Sequence, residues 1–167
     1  MAYRLSGRSR RRAALMFVGL IVVGTTGPAV AAARGAAETP RQHCRRVGND
    51  DQLRPIPATL APVAGRLFGI ARNYAAKTTY YRCADHDLLL CNVGANLPCG
   101  KANQDTELRG ANDWCRDNRN ADMIPMAVTG HDTIYEWKCT DGVAKPARQI
   151  GKVDGRGFFL EYWKKVR

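Results

Sequence analysis

This chain predicts an α+β fold: a small antiparallel sheet built from two hairpins, with two short helices, held by disulfides. Three observations point there. Two segments, "YRCADHDLLLC" (residues 81–91) and "WKCTDG" (residues 137–142), read as strands entering tight turns and echo each other in aromatic, basic residue, cysteine and Asp. Two other stretches repeat apolar residues at helical spacing. All six cysteines, Cys44, Cys83, Cys91, Cys99, Cys115 and Cys139, follow an N-terminal segment with the pattern of an export signal.

That segment spans residues 1–31. Arg4, Arg8, Arg10, Arg11 and Arg12 make a positive start without an acidic residue. "AALMFVGLIVVG" (residues 13–24) is an uncharged apolar run, and Ala29, Val30 and Ala31 supply the small residues a signal peptidase reads. The run is shorter than the roughly 20 residues a membrane span needs, so cleavage is expected over anchoring. "SRRRAAL" leaves the twin-arginine route open beside the general one. No cysteine sits just after the apolar run to accept a lipid at a cleavage site. The leader takes five of the 26 Lys+Arg and none of the 15 Asp+Glu, leaving 21 basic against 15 acidic side chains: a formal +6 in place of +11. A mildly basic exported chain favours anionic surfaces.

Residues 32–56 read as an extended lead-in and loop, since "RRVGNDDQLRPIP" is turn chemistry. Residues 57–167 read as one α+β domain. Thr59 is placed to cap a helix whose Leu60, Val63, Ala64, Leu67 and Phe68 share one face. Pro62 is tolerated in its first turn and Gly69 suits its end. Residues 78–83 and 87–93 are the strands of the first hairpin. Leu88, Leu89 and Leu90 in succession make the second of them apolar on both faces, hence central. Residues 105–118 are a second helix with Leu108, Ala111 and Cys115 on one stripe. Residues 123–128 read as a strand broken by Pro125. Residues 133–139 alternate, with Thr133, Tyr135, Trp137 and Cys139 on one side, and Asp141-Gly142 turns the chain into a return strand from Val143. Residues 157–163 form a last apolar segment.

The cysteines are expected to be staples. Cys83, Cys91 and Cys99 stand eight residues apart and no CxxC exists, whereas zinc knuckles need pairs two to four residues apart. A nucleophile would need a base close in space and would leave an odd partner. No cofactor and no metal are expected. With a two-residue turn at Asp85-His86, Cys83 lies opposite Leu88 and Cys91 takes the other face. With a three-residue turn, Ala84 to His86, Cys83 lies opposite Asp87 and Cys91 shares its face but sits roughly 13 Å along, so a regular hairpin excludes a Cys83–Cys91 bond either way. The spacing favours Cys99–Cys115, then Cys83–Cys139 between the echoing strands, leaving Cys44–Cys91.

Two candidate sites follow. If Cys83 faces the core, Tyr80 and Arg82 face outward and form an aromatic-basic binding patch. His131 and Asp132, beside Gly130 before an aromatic strand, are the candidates for acid-base catalysis in a hydrolase or nuclease. The sequence contains no P-loop, no G-x-S-x-G, no HExxH and no EF-hand loop.

"YRCADHDLLL" also resembles the Tyr-x-Cys opening hairpin of the C-type lysozyme inhibitors, small exported β-barrel proteins of the bacterial envelope. The resemblance covers about ten residues. It implies a barrel and an inhibitory, non-enzymatic role, although the Ser-Gly-rich inhibitory signature of that family has no counterpart here. The reading as a whole is a periplasmic or secreted binding or inhibitory module, with a non-enzymatic role favoured and the hydrolase or nuclease kept as the alternative. Its partner is expected to be macromolecular or an anionic envelope component. No nucleic acid is expected, and no membrane span after cleavage.

Overall fold

The structure is a computed structural model and describes residues 37–94 and 96–167. The expected leader, residues 1–31, lies outside the described residues.

The chain first forms a helix, α1 (Pro40–Val47), inside the stretch expected to be lead-in. Its cause is local: Thr39 accepts a hydrogen bond from the Gln42 amide, and the Gln42 side chain accepts one from the Thr39 amide. This capping box, with proline in the first turn, starts a helix wherever the chain can pack it. β1 (Asp50–Pro55) follows as an edge strand with an irregular register between Asp50 and Arg54. Over residues 37–56 the lead-in and loop reading is therefore corrected; residues 32–36 lie outside the described residues. An edge strand tolerates the proline and turn residues that argued against it.

A 3-10 turn at Ala58–Leu60 feeds α2 (Ala61–Phe68), which ends at Gly69 in the left-handed region, as its sequence predicts. Leu60, not Thr59, occupies the cap position, and no side chain caps this helix. α3 (Arg72–Thr78) runs directly into β2 (Thr79–Ala84), which turns through Asp85 and His86 into β3 (Asp87–Asn92). Both turn residues have positive φ, the requirement of a two-residue hairpin. The His86 ring hydrogen-bonds the Arg45 carbonyl and its amide donates to the Gly48 carbonyl, which fastens the turn to the end of α1.

α4 (Arg109–Asp117) buries Ala111 and Cys115. Residues 123–128 form no strand. Pro125 is extended, and Met126–Thr129 close one helical turn, α5. β4 (Tyr135–Thr140) and β5 (Val143–Gln149) pair around Asp141-Gly142. β6 (Lys164–Lys165) closes the order.

The α+β class with a small antiparallel sheet and three disulfides holds. The two hairpins, however, sit in different sheets. β2 and β3 are the inner strands of a four-stranded antiparallel sheet, β1-β2-β3-β6, and β4-β5 is a separate pair. Among the described residues there are five α-helices where two were expected. The four-stranded sheet is open, so the barrel implied by the lysozyme-inhibitor resemblance is not formed among the described residues.

One face of that sheet, with Tyr81, Cys83, Leu88 and Leu90, packs on α1, α2 and α3. The other, with Leu89 and Cys91, is covered by Phe158 and Trp163. A separate core joins α4 to the β4-β5 pair through Ala111, Cys115, Ile124, Trp137, Cys139 and Ala144.

The cysteines pair in sequence order: Cys44–Cys83, Cys91–Cys99 and Cys115–Cys139, with Cα separations of 5.0, 5.8 and 5.5 Å. None of the three pairings read from spacing is formed. The echo between the two hairpins carried no proximity, because Cys139 belongs to the α4 layer while Cys83 faces α1. The exclusion of Cys83–Cys91 stands. Cys83 is opposite Leu88 and Cys91 opposite Tyr80, three residues apart on β3 and so on opposite faces.

Candidate functional site

Arg82 does not face outward. It is 1% exposed, with its guanidinium 4.1 Å from the Phe158 ring centroid and 4.8 Å from that of Trp163. Asp154 takes one of its nitrogens in an ion pair. The carboxylate is aimed by the tight turn Asp154-Gly155-Arg156-Gly157, whose Arg156 and Phe158 amides donate to its other oxygen at 2.9 and 3.0 Å. Burial pushes the Asp154 carboxyl up, but these amides and Arg82 outweigh it and hold it below the usual range. Nε and Nη1 of Arg82 have no hydrogen-bond partner and lie against aromatic faces. Tyr80 is half-buried on the same side. The expected Tyr80-Arg82 surface patch is thus a buried ion pair in an aromatic box. A chain of alternating residues has two faces, and here the C-terminal segment covers the second.

Beside this box lies a polar cavity of about 550 Å³, lined by Asp51, Lys101, Gln104, Asp154 and Arg156 among others. Its charges are spent on one another: Asp51 bonds Arg156 at 2.5 Å and Lys101 at 2.8 Å. The Arg156 hydrogen bond in particular lowers the Asp51 carboxyl, so it stays ionised rather than poised to give a proton.

The three histidines do not converge. His43 has both ring nitrogens engaged, Nε2 with Asp50 at 3.0 Å and Nδ1 with Arg46 at 3.1 Å. His86 is bound to α1. His131 is exposed and lines a small cavity of about 140 Å³ with Met126, Thr133, Ile150, Phe159 and Tyr162. Asp132 turns back toward Gly130, where a Cβ would stand 2.6 Å from its Oδ1, so it does not orient the imidazole.

That small cavity opens a different site. Met126 and Ile150 also line a neighbouring apolar groove of about 380 Å³, with Met123, Ile124, Pro125, Thr129, Tyr135 and Trp137. Its floor is rigid. Trp137 is 1% exposed, donates from Nε1 to the Thr133 hydroxyl at 3.1 Å, and meets Tyr135 edge-on at 6.3 Å. Its wall is the segment that was expected to be a strand. Cys139 donates to the Ala121 carbonyl and Ile124 to that of Trp137, both at 2.8 Å, which lays residues 121–124 along β4. Pro125 then turns the chain away into α5 and leaves the methionines on the rim. Met123, Met126 and Ile150 are 68%, 49% and 40% exposed. The Glu136–Arg148 pair, directly cross-strand on β4 and β5, adds a polar edge. Of this site the sequence offered only "ADMIPMAV", two methionines flanking a proline.

Among the described residues, no three His, Cys, Asp or Glu side chains gather as a metal-ligand group, and no helix is long and apolar enough to cross a membrane. By fold the chain is a three-disulfide α+β domain. It matches no protein-family model, no curated protein and no solved structure.

Proposed function

We propose that this chain is an exported, non-enzymatic binding module of the bacterial envelope, periplasmic or secreted, and that its macromolecular partner seats an apolar segment in the Met123-Met126-Ile150 groove. The groove carries the reading. It is a concave apolar site with an aromatic floor, a few polar groups at its edge, and exposed methionines whose unbranched side chains adapt to a partner. Three disulfides support an oxidising compartment.

The hydrolase reading, with His131 and Asp132 as its residues, has less support. His131 lacks an orienting acid, and the carboxylates of the charged cavity are held ionised. The lysozyme-inhibitor reading lacks its barrel.

Selection of random displayed dodecapeptides on the folded protein tests the proposal. Selected peptides are expected to carry an aromatic or long aliphatic anchor and to bind Met126→Asp at least tenfold more weakly, with the thermal midpoint unchanged. Selected peptides that bind Met126→Asp and Ile150→Asp as well as the parent protein overturn it.

A further inference from the structure

The stretch from residue 52 to residue 84 contains five basic side chains and no Asp or Glu. Folding brings its α2 against the basic C-terminus. Lys164 Nζ donates to the Leu67 carbonyl at 3.0 Å and stands 5.1 Å from the Phe68 ring centroid. Arg66, Lys165 and Arg167 line a cavity of about 400 Å³ together with Val63, Leu67 and Val166. On the other side of Lys164, a second cavity of about 330 Å³ is lined by Phe68, Ile70, Leu97 and Tyr162, with Glu161 at its edge. Lys165 is paired with Asp87, and Arg41 is turned onto the Val166 and Arg167 carbonyl oxygens. Arg66, Lys164 and Arg167 have no carboxylate within 4.0 Å among the described residues, and neither do Arg72 and Lys77 on adjacent α3.

We infer that this face, α2 with the C-terminal strand, docks on the surface of an anionic phospholipid bilayer. Unpaired cations would be met by a purely polar anion just as well. Here they stand between apolar clefts, with Leu97 44% exposed beside them. An interface that is anionic at the headgroups and apolar beneath satisfies both. Basic residues near an anionic membrane each add to the attraction, so three or more give salt-sensitive peripheral binding without a span. The inference uses no residue of the methionine groove and stands apart from it.

The test is flotation of the exported protein with vesicles of phosphatidylcholine alone or with 30% phosphatidylglycerol. Binding is expected only to the anionic vesicles, and it should weaken at least tenfold between 20 and 300 mM salt. Arg66→Gln/Lys164→Gln/Arg167→Gln should lose at least tenfold. Arg109→Gln/Lys138→Gln/Lys145→Gln, equal in charge but elsewhere, should stay within twofold. Leu97→Ser should lose about threefold on vesicles while leaving binding to soluble polyphosphate unchanged. Equal loss in both triple variants means diffuse attraction and overturns the inference. So do equal binding to both vesicle types, no vesicle binding at 20 mM salt, displacement by 10 mM inorganic phosphate, and an unaffected Leu97→Ser. Circular dichroism and the thermal midpoint check that each variant is folded.

Discussion

The guanidinium of Arg82, buried against Phe158 and Trp163, and the partly exposed carboxylate of Asp154, 72 residues apart in the chain, form an ion pair. It fastens the C-terminal segment over the second face of the central sheet. Removing one partner of a fully buried pair strands the other and costs about 3–5 kcal/mol, and the 19% exposure of the Asp154 side chain reduces that here. Asp154→Asn keeps the turn's amide acceptor and removes the charge, so urea unfolding should report a loss near the lower end. Replacing both, Arg82→Met/Asp154→Asn, should recover more than half of that loss, since an apolar side chain fits between two aromatic rings. Losses that simply add in the double variant would show that the pair is not coupled.

Acid should unfold the domain through these carboxylates. Hydrogen bonds hold Asp50 below its ordinary range, chiefly from His43, and Asp51, chiefly from Arg156. Asp154 is also lowered, its burial being outweighed by the Phe158 and Arg156 amides and Arg82. A depressed folded-state pKa stabilises the fold above the unfolded value, about 4, and the contribution is lost as pH falls through the folded value. The thermal midpoint should be level between pH 7 and 5 and drop below pH 4. Asp154→Asn should start lower and fall less steeply. A wild-type midpoint that rises on acidification contradicts the assignment.

Mapping without reduction should yield linked fragments for Cys44–Cys83, Cys91–Cys99 and Cys115–Cys139. In the chain-entropy model, loops of 39, 24 and 8 residues correspond to about 4, 3.5 and 2.5 kcal/mol. Paired Cys→Ala variants should lose stability in that order. A Cys83–Cys139 fragment would restore the pairing suggested by the echoing hairpins.

Gly151 is buried where a Cβ would stand 2.4 Å from the Phe159 ring, and the ring is itself 3% exposed and held in the core. Gly151→Ala should cost about 1–3 kcal/mol by overpacking. Gly100→Ala meets nothing within 4 Å and should be neutral or slightly stabilising. Equal thermal midpoints for the two variants would mean that Phe159 yields freely.

Much of the local structure was legible because its causes are local. The first hairpin follows from the turn signal between residues 84 and 86, though its register waited on the turn length, the second from Asp141-Gly142, α2 from its apolar face and Gly69, and α4 from Ala111 and Cys115 one turn apart. α1 was legible too, in Thr39 and Gln42, but turn chemistry on either side masked it. The leucine run at 88–90 correctly marked a central strand. It also implied that the Arg82 face must be covered, a consequence that outweighs the reading of Tyr80 and Arg82 as surface.

What the amino-acid sequence determines alone is therefore the inventory: the hairpins, the helices α2 and α4, and six cysteines committed to bonds. Only the tertiary structure decides which layer each hairpin joins, and with it the partner of every cysteine, the burial of Arg82 and the exposure of Met123 and Met126. The physical reason is range. Turn and helix preferences act over a few residues, whereas layer assignment depends on which apolar faces meet across the chain, and strand periodicity names two faces without saying what lies against either.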